Sequence, residues 1–493
     1  MNYLLGIDFG GTSAKGTLID TSGRIVIEAT SEYPTLCPEP DMREQSPEDW
    51  ISSLRDVTRE ILEKSDIEPS SILCLAIDSA THTFLMTDGD NSPIRDAIHW
   101  TDSRSRDQSR KLEERHGEEI LEKTFHKPDT IWTLPMICWL REHEPETIER
   151  ARRVFFEKDY IRFFLTGEYM TDYIEAQGSM LFDCRNGRWD DSLISMAGIE
   201  KDILPPLCRP TDSAGKVTKE ASSFTGLVEG TPVICGTTDT ALEVFASGAI
   251  ARGDRTVKLA TAGRICVITD RPYPNRHLVN YSHVVESLWY PGTATKAAAA
   301  SYRYFRDTFG SDYATLDREA SEVSPGCEGL MYHPYLNGEL TPYADPALRA
   351  SFTGMGSTHT RGHYARAVLE GVAMSLMECK NYLDSLDIPS SGSATLIGGG
   401  AKGKLWRQIV ADALGIKLRT TLSSDSSLGS AMLAGVACGV FSSYGDAVDK
   451  CVVTADTVIP DMENHIIYCN MLRRYRAIQD ALAPIYNTDW VGA

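Results

Sequence analysis

Long apolar runs are missing from this 493-residue chain. The longest, such as Ile72 to Ile77, are strand-sized and far short of the ~20 residues a membrane-spanning helix needs. Positive charge is also scarce. Lys and Arg number 49 against 69 Asp and Glu, for a formal net charge of -20. Such a surface repels phosphate backbones and anionic lipid, so nucleic acid and membranes are set aside as partners, and an anionic ligand needs a local site. The twelve cysteines run from Cys37 to Cys469 with no CxxC pair. That argues against a disulfide framework or a metal knuckle and for reduced thiols in a cytoplasmic protein. The opening MNYLLGIDFGG has no basic segment and no small-residue cleavage site, so no signal peptide is expected. Low-complexity segments, long linkers and a GxxxxGKS/T phosphate loop are all lacking. What remains is an ordinary globular composition, 42% hydrophobic and 24% charged, in a chain too long for one core.

The chain opens as a meander: an apolar run through Ile7, the turn Gly10-Gly11-Thr12-Ser13, a second run at Leu18 and Ile19, and a third at Ile25 to Ile27. Ser46 as N-cap and Pro47 at the first helical position predict an amphipathic helix over 47–64. A similar meander recurs at 256–268, turning at Ala260-Thr261-Ala262-Gly263. Two such units half a chain apart suggest an internally duplicated fold. Ala365, Val368, Leu369, Val372, Ala373 and Leu376 form one helical stripe. Leu405, Trp406, Ile409, Val410, Ala413 and Leu414 form another, closed by Gly415. Strands alternating with helices favour α/β layers.

Four segments carry chemistry. Asp8 ends an apolar strand beside Gly10, Gly11, Thr12, Ser13 and Lys15. Glycine amides and hydroxyls can cradle phosphate, Lys15 adds a charge, and the acid can hold Mg²⁺; an ordinary hairpin fits the segment equally well. Asp239 follows a buried strand on the turn Gly236-Thr237-Thr238, where a carboxylate can take the proton of an attacking hydroxyl or simply cap the turn. Gly398-Gly399-Gly400-Ala401 lies between a strand and a helix, as a nucleotide-binding turn or as close packing. Asp78 to His82 and Trp100 to Arg104 follow strand-like stretches and offer donors and acceptors to sugar hydroxyls, or structural contacts.

In this order the segments resemble the FGGY carbohydrate kinases, a branch of the actin/hexokinase/Hsp70 fold. The resemblance spans about residue 3 to about 440. LLGIDFGGTSAKGTLID, DYIRFFLTGEYMTDY, GTTDTALEVFASGAIARGD, PYLNGELTPYADPALRASFTGM, LIGGGAKGKLWRQIVADALG and SLGSAMLAGVACG carry it collinearly. It implies an α/β fold of two actin-like (ribonuclease H-like) ATPase domains flanking a central cleft. Residues 1–246 would form the sugar and Mg side and 247–493 the ATP side, with the last ~40 residues packing back on the first domain. It implies ATP and Mg²⁺ as cofactors, and Asp8 as the metal-associated acid. Thr12, Ser13 and Lys15 fall at the first phosphate turn, Thr261 and Gly263 at the second, and Gly399, Gly400 and Ala401 at the adenosine turn. Asp239 falls at the base, and Thr81, His82, Asp102, Asp239 and Thr240 at the sugar. A homodimer is the one macromolecular assembly entertained.

Departures cluster at the sugar and the second turn. Xylulokinase-like members carry Gln-Met-His where Ala80-Thr81-His82 stands, Asn in place of Thr240, and Gly-Thr-Ser-Gly in place of residues 260–263. The leading expectation is a ketopentose kinase acting on a substrate such as xylulose. A kinase for gluconate or another polyol is the alternative, with Arg264, Lys258 or Lys296 meeting the carboxylate. A non-catalytic sugar-binding regulator is a third reading, motivated by Ala260 and Ala262.

Overall fold

A computed structural model describes residues 1–487. Its frame is two six-stranded sheets. The first runs Ser213–Lys216, Pro232–Ile234, Ile72–Ser79, Tyr3–Phe9, Ser13–Asp20, Ile25–Glu32. The second runs Gly292–Thr295, Gly263–Val267, Arg255–Leu259, Ser393–Ile397, Lys417–Thr421, Thr454–Val458. Followed outward from its meander, each sheet pairs antiparallel, antiparallel, parallel, parallel, antiparallel. The duplication expected from the two meanders is therefore present at the level of sheet topology.

Local chemistry explains the elements. Ser46 accepts a hydrogen bond from the Glu48 N–H and starts the helix Pro47–Ser65, whose Trp50, Leu54, Val57 and Ile61 are fully buried. Each such side chain contributes about 1.5–3 kcal/mol of burial. The Arg361–Ser385 helix extends well beyond the expected stripe and is buried on nearly all sides from Ala365 to Cys379. It packs against strands, against neighbouring helices and against the chain at Tyr332, where Gly371 has no room for a Cβ. Its polar Ser375 and Glu378 are buried with it.

The helix Ser426–Ala437 belongs to the second half of the chain but lies on the first sheet, against Tyr3–Phe9 and Ile72–Ser79. Gly6 permits the approach, since a Cβ there would run into the Ser427 carbonyl and the Ala431 amide. The end of the chain departs from the expectation that its last ~40 residues return to the first half. Thr454–Val458 extends the second sheet. Met462–Tyr486 packs on the Lys404–Leu414 and Arg361–Ser385 helices, driven by burial of Tyr468, Leu472 and Tyr475. Residues 488–493 of that stretch lie outside the described residues. No helix among the described residues is long and apolar enough to cross a membrane.

Candidate active site

Asp8 is placed by strand register. It stands directly beside Asp78 on the parallel neighbour and opposite Lys15 across the hairpin. Burial pushes the Asp8 carboxyl up to about 7, and the charge of Asp239 adds to the rise. Asp78 is fully buried and rises well above the carboxylate range, through burial first and then the charge of Asp8. Ser430 Oγ donates to Asp78 Oδ2 at 2.5 Å. Oδ1 of Asp8 and Oδ1 of Asp78 are both buried without a hydrogen-bond partner among the described residues. The fully buried Glu157, also raised by burial and then by Asp8, lies next to this pair and bonds Tyr33 Oη at 3.3 Å.

Asp239 opens the helix Asp239–Ala246, which Thr238 caps. The preceding turn needs Gly236, whose φ is 72° and whose missing Cβ makes way for the Ile77 carbonyl. Thr81 Oγ1 donates to Asp239 Oδ1 at 3.0 Å, and the Thr240 N–H donates to the same oxygen at 2.7 Å. Asp239 is half-buried, and its second oxygen has no hydrogen-bond partner among the described residues. Asp239 is a poised acceptor at a helix N-terminus, close enough to Asp8 to influence its proton.

The two hairpin turns present Thr12 and Thr261 as exposed tips, with hydroxyls unengaged by any described residue. The glycine turn meets the second hairpin. A Cβ on Gly398 would stand 2.7 Å from the Leu259 carbonyl, and one on Gly400 3.0 Å from it. Gly399, Gly400 and Ala401 form a single tight turn ahead of the Lys404–Leu414 helix, so the phosphate and adenosine turns expected from sequence are contiguous.

Lys15, expected at the first phosphate turn, already has carboxylate partners. Its ammonium pairs with Asp425 and, at 2.8 Å, with Glu28. Burial pulls its pKa down, but these hydrogen bonds hold it above the ordinary value. Asp102, expected at the sugar, is fully buried with both oxygens engaged: Arg104 grips it through Nε and Nη2, and the Arg43 N–H donates at 2.6 Å. In this conformation it ties two loops together and has no oxygen to spare for a ligand.

His82 sits at φ 75°, a backbone strained for a non-glycine residue. Its Nε2 meets Tyr281 Oη at 2.8 Å and its ring packs edge-on to Trp132 at 4.7 Å. Burial, then the neighbouring His126, keeps it neutral. Thr240 Oγ1 reaches Tyr290 Oη at 3.3 Å, and Tyr290 stacks on Tyr281. Thr81, His82, Asp239 and Thr240 therefore share one wall with two tyrosines that sequence reasoning missed. The tyrosines lie in an irregular stretch with no periodicity to flag them. Asp78 had a visible signal, an acid closing a second buried strand, but only the register shows that it pairs with Asp8.

The FGGY family of carbohydrate kinases matches through its N-terminal domain model over residues 3–246 and its C-terminal domain model over 260–438. A xylulose kinase of Bacillus subtilis (strain 168) is 30% identical over 99% of this chain and 97% of its own length. A gluconokinase of the same organism is 29% identical, over 92% of this chain and 90% of its own. The crystal structure of xylulose kinase from Rhodospirillum rubrum superposes with a TM-score of 0.91 at 26% identity, covering 99% of this chain and 100% of that one.

Proposed function

The chain belongs to the FGGY family of carbohydrate kinases, a family of ATP-dependent sugar kinases, and on that footing we propose that it transfers the γ-phosphate of ATP to a hydroxyl of a ketopentose such as xylulose. The observation that carries the reading is the setting of Asp239. One oxygen is held by Thr81 and the Thr240 N–H while the other has no partner among the described residues, on a wall shared with His82 and Tyr290. A sugar hydroxyl against the free oxygen passes its proton to Asp239 as its own oxygen bonds to the γ-phosphorus, and ADP departs with the electron pair of the broken P–O bond. Thr81 and the Thr240 N–H orient the carboxylate, so the acceptor meets it in one geometry.

Thr12, Ser13, Thr261 and Gly263 supply hydroxyl and backbone donors for the phosphates, and Gly399, Gly400 and Ala401 leave room for the nucleoside. Lys15 contributes once phosphate competes for it with Asp425 and Glu28. Mg²⁺ is satisfied by one or two carboxylates while keeping several waters, and the buried, partnerless Oδ1 atoms of Asp8 and Asp78 fit that demand. Asp8 and Asp78 would hold the ion, which neutralises phosphate charge when bound. With ATP as donor, the reaction belongs in the cytoplasm.

A coupled ADP-release assay with Mg·ATP and a panel of ketopentoses, polyols and sugar acids tests the proposal. The highest kcat/KM is expected for a ketopentose. Sugar binding without any ADP release would move the assignment to a non-catalytic sugar-binding protein.

A further inference from the structure

Behind the turn that leads to Asp239 lies a buried chain of charges that the reaction above does not use. The helix Glu157–Thr166 supplies Lys158, Asp159 and Arg162, and Asp172 follows on the short strand Thr171–Asp172. All four side chains are buried. Arg162 Nη1 meets Asp159 Oδ1 at 2.6 Å, and Lys158 Nζ meets the same oxygen at 2.5 Å. Lys158 Nζ then meets Asp172 Oδ2 at 3.0 Å. Two cations and two anions cancel. Burial pulls the Lys158 ammonium down, but the charges of Asp159 and Asp172 hold it above its ordinary value. Desolvation offsets much of what buried ion pairs gain by attraction, so such a chain is a poor source of stability. What directional buried partners do supply is rigid placement.

Both ends of the chain grip the turn before Asp239. Arg162 Nη1 donates to the Cys235 carbonyl at 3.0 Å. Thr237, fully buried, donates from Oγ1 to Asp172 Oδ1 at 2.8 Å. The same Asp172 oxygen accepts the N–H groups of Ile174 at 2.9 Å and Glu175 at 3.2 Å, and so caps the helix Tyr173–Gly178. That helix supports the acceptor side of the wall. Glu175 Oε1 accepts the His82 N–H at 3.2 Å. Gly178 lies against the His82 ring, where a Cβ would come within 2.1 Å of Nδ1. One carboxylate oxygen therefore ties the turn that carries Asp239 to the helix that supports His82.

We propose that Thr237 and Asp172 are positioning residues for phosphoryl transfer, whose hydrogen bond holds the backbone of Asp239 at a fixed place relative to the acceptor wall. The proposal rests on the kinase reading above and leaves its chemistry unchanged. Thr81 and the Thr240 N–H set the rotation of the Asp239 carboxylate. Thr237 sets where that carboxylate stands, and both it and Asp172 act through Asp239 and not on the acceptor. A base displaced by a fraction of an ångström still permits binding but meets the attacking hydroxyl badly, so the loss falls on turnover.

The test measures turnover of the full chain with Mg·ATP and xylulose, or with the best acceptor of the panel should that be another sugar. Thr237→Val keeps the branched shape and removes the hydroxyl. It should lower kcat by roughly 10- to 100-fold while KM for the acceptor and ADP binding by calorimetry stay within about threefold. Thr237→Ser keeps the hydroxyl and should recover most of the loss. In the Asp239→Asn background the same Thr237→Val change should cost less than about twofold, because effects that pass through one group do not add. Thermal melts check that each variant is folded at the assay temperature, and Thr237→Ala serves as the second variant should the valine fold poorly.

An unchanged kcat in Thr237→Val would overturn the proposal, as would a loss carried by KM or an equal loss in Thr237→Ser. A full further loss in the Asp239→Asn background would overturn it by giving Thr237 a structural role independent of the base. A wild type that phosphorylates no acceptor of the panel removes the kinase reading and this proposal together, whereas an active wild type with an unaffected valine variant removes the proposal alone.

Discussion

Replacing Asp8 with asparagine should make the protein more stable and less useful. In the folded protein burial pushes the Asp8 carboxyl up from an ordinary 3.8 to about 7. A displacement of roughly three pH units, at about 1.4 kcal/mol each, amounts to ~4 kcal/mol by which the ionised side chain disfavours the folded state. The sign follows from proton binding. Between pH 4 and pH 7 the folded chain holds a proton at Asp8 that the unfolded chain has released, so stability falls as pH rises through that window and levels off above it. The asparagine side chain is neutral throughout and can donate to Asp78. In metal-free buffer at pH 8 the variant should therefore melt several degrees higher than the wild type, at about 2–4 °C per kcal/mol for domains of this size. The gap should close toward pH 4. Thermal melts in EDTA at pH 4.5, 6 and 8, paired with ADP release in Mg²⁺, read out both halves. A variant no more stable at pH 8, or equally stabilised at every pH, would refute the argument that Asp8 is an ionised group held at a cost for function.

Asp239→Asn should cut kcat by about 1,000-fold or more while ADP binding by calorimetry stays within a few-fold, because the base is lost and the shape is kept. Near-normal turnover would remove Asp239 from its role. Gly6→Ala should destabilise by ~3 kcal/mol or more, since the new methyl meets backbone of the Ser426–Ala437 helix that has nowhere to move. A denaturant midpoint unchanged from wild type would show that the helix can yield.

Much of the site was legible because its turns are written locally. Glycines mark where backbone must approach something, and Asp8 and Asp239 each follow a buried strand, so their positions need no knowledge of distant residues. The glycine turn at 398–401 and both hairpin tips were readable for the same reason. Partnership was not readable. Lys15 looks like a free cation in sequence, yet it meets Asp425, 410 residues away. Asp102 looks like a ligand and proves to be the anchor of Arg104.

The sequence alone determined the family, the duplicated α/β plan and the residues that close each strand, because hydrophobic period and turn chemistry act over a few residues. Only the tertiary structure decided which charges are spent and which are spare. It paired Asp8 with Asp78, satisfied Lys258 with Glu243, and left one oxygen of Asp239 without a hydrogen-bond partner among the described residues. Electrostatic and hydrogen-bond partners are set by distances of a few ångströms between segments far apart in the chain, and those distances exist only once the sheets, the crossing helix and the aromatic wall have packed.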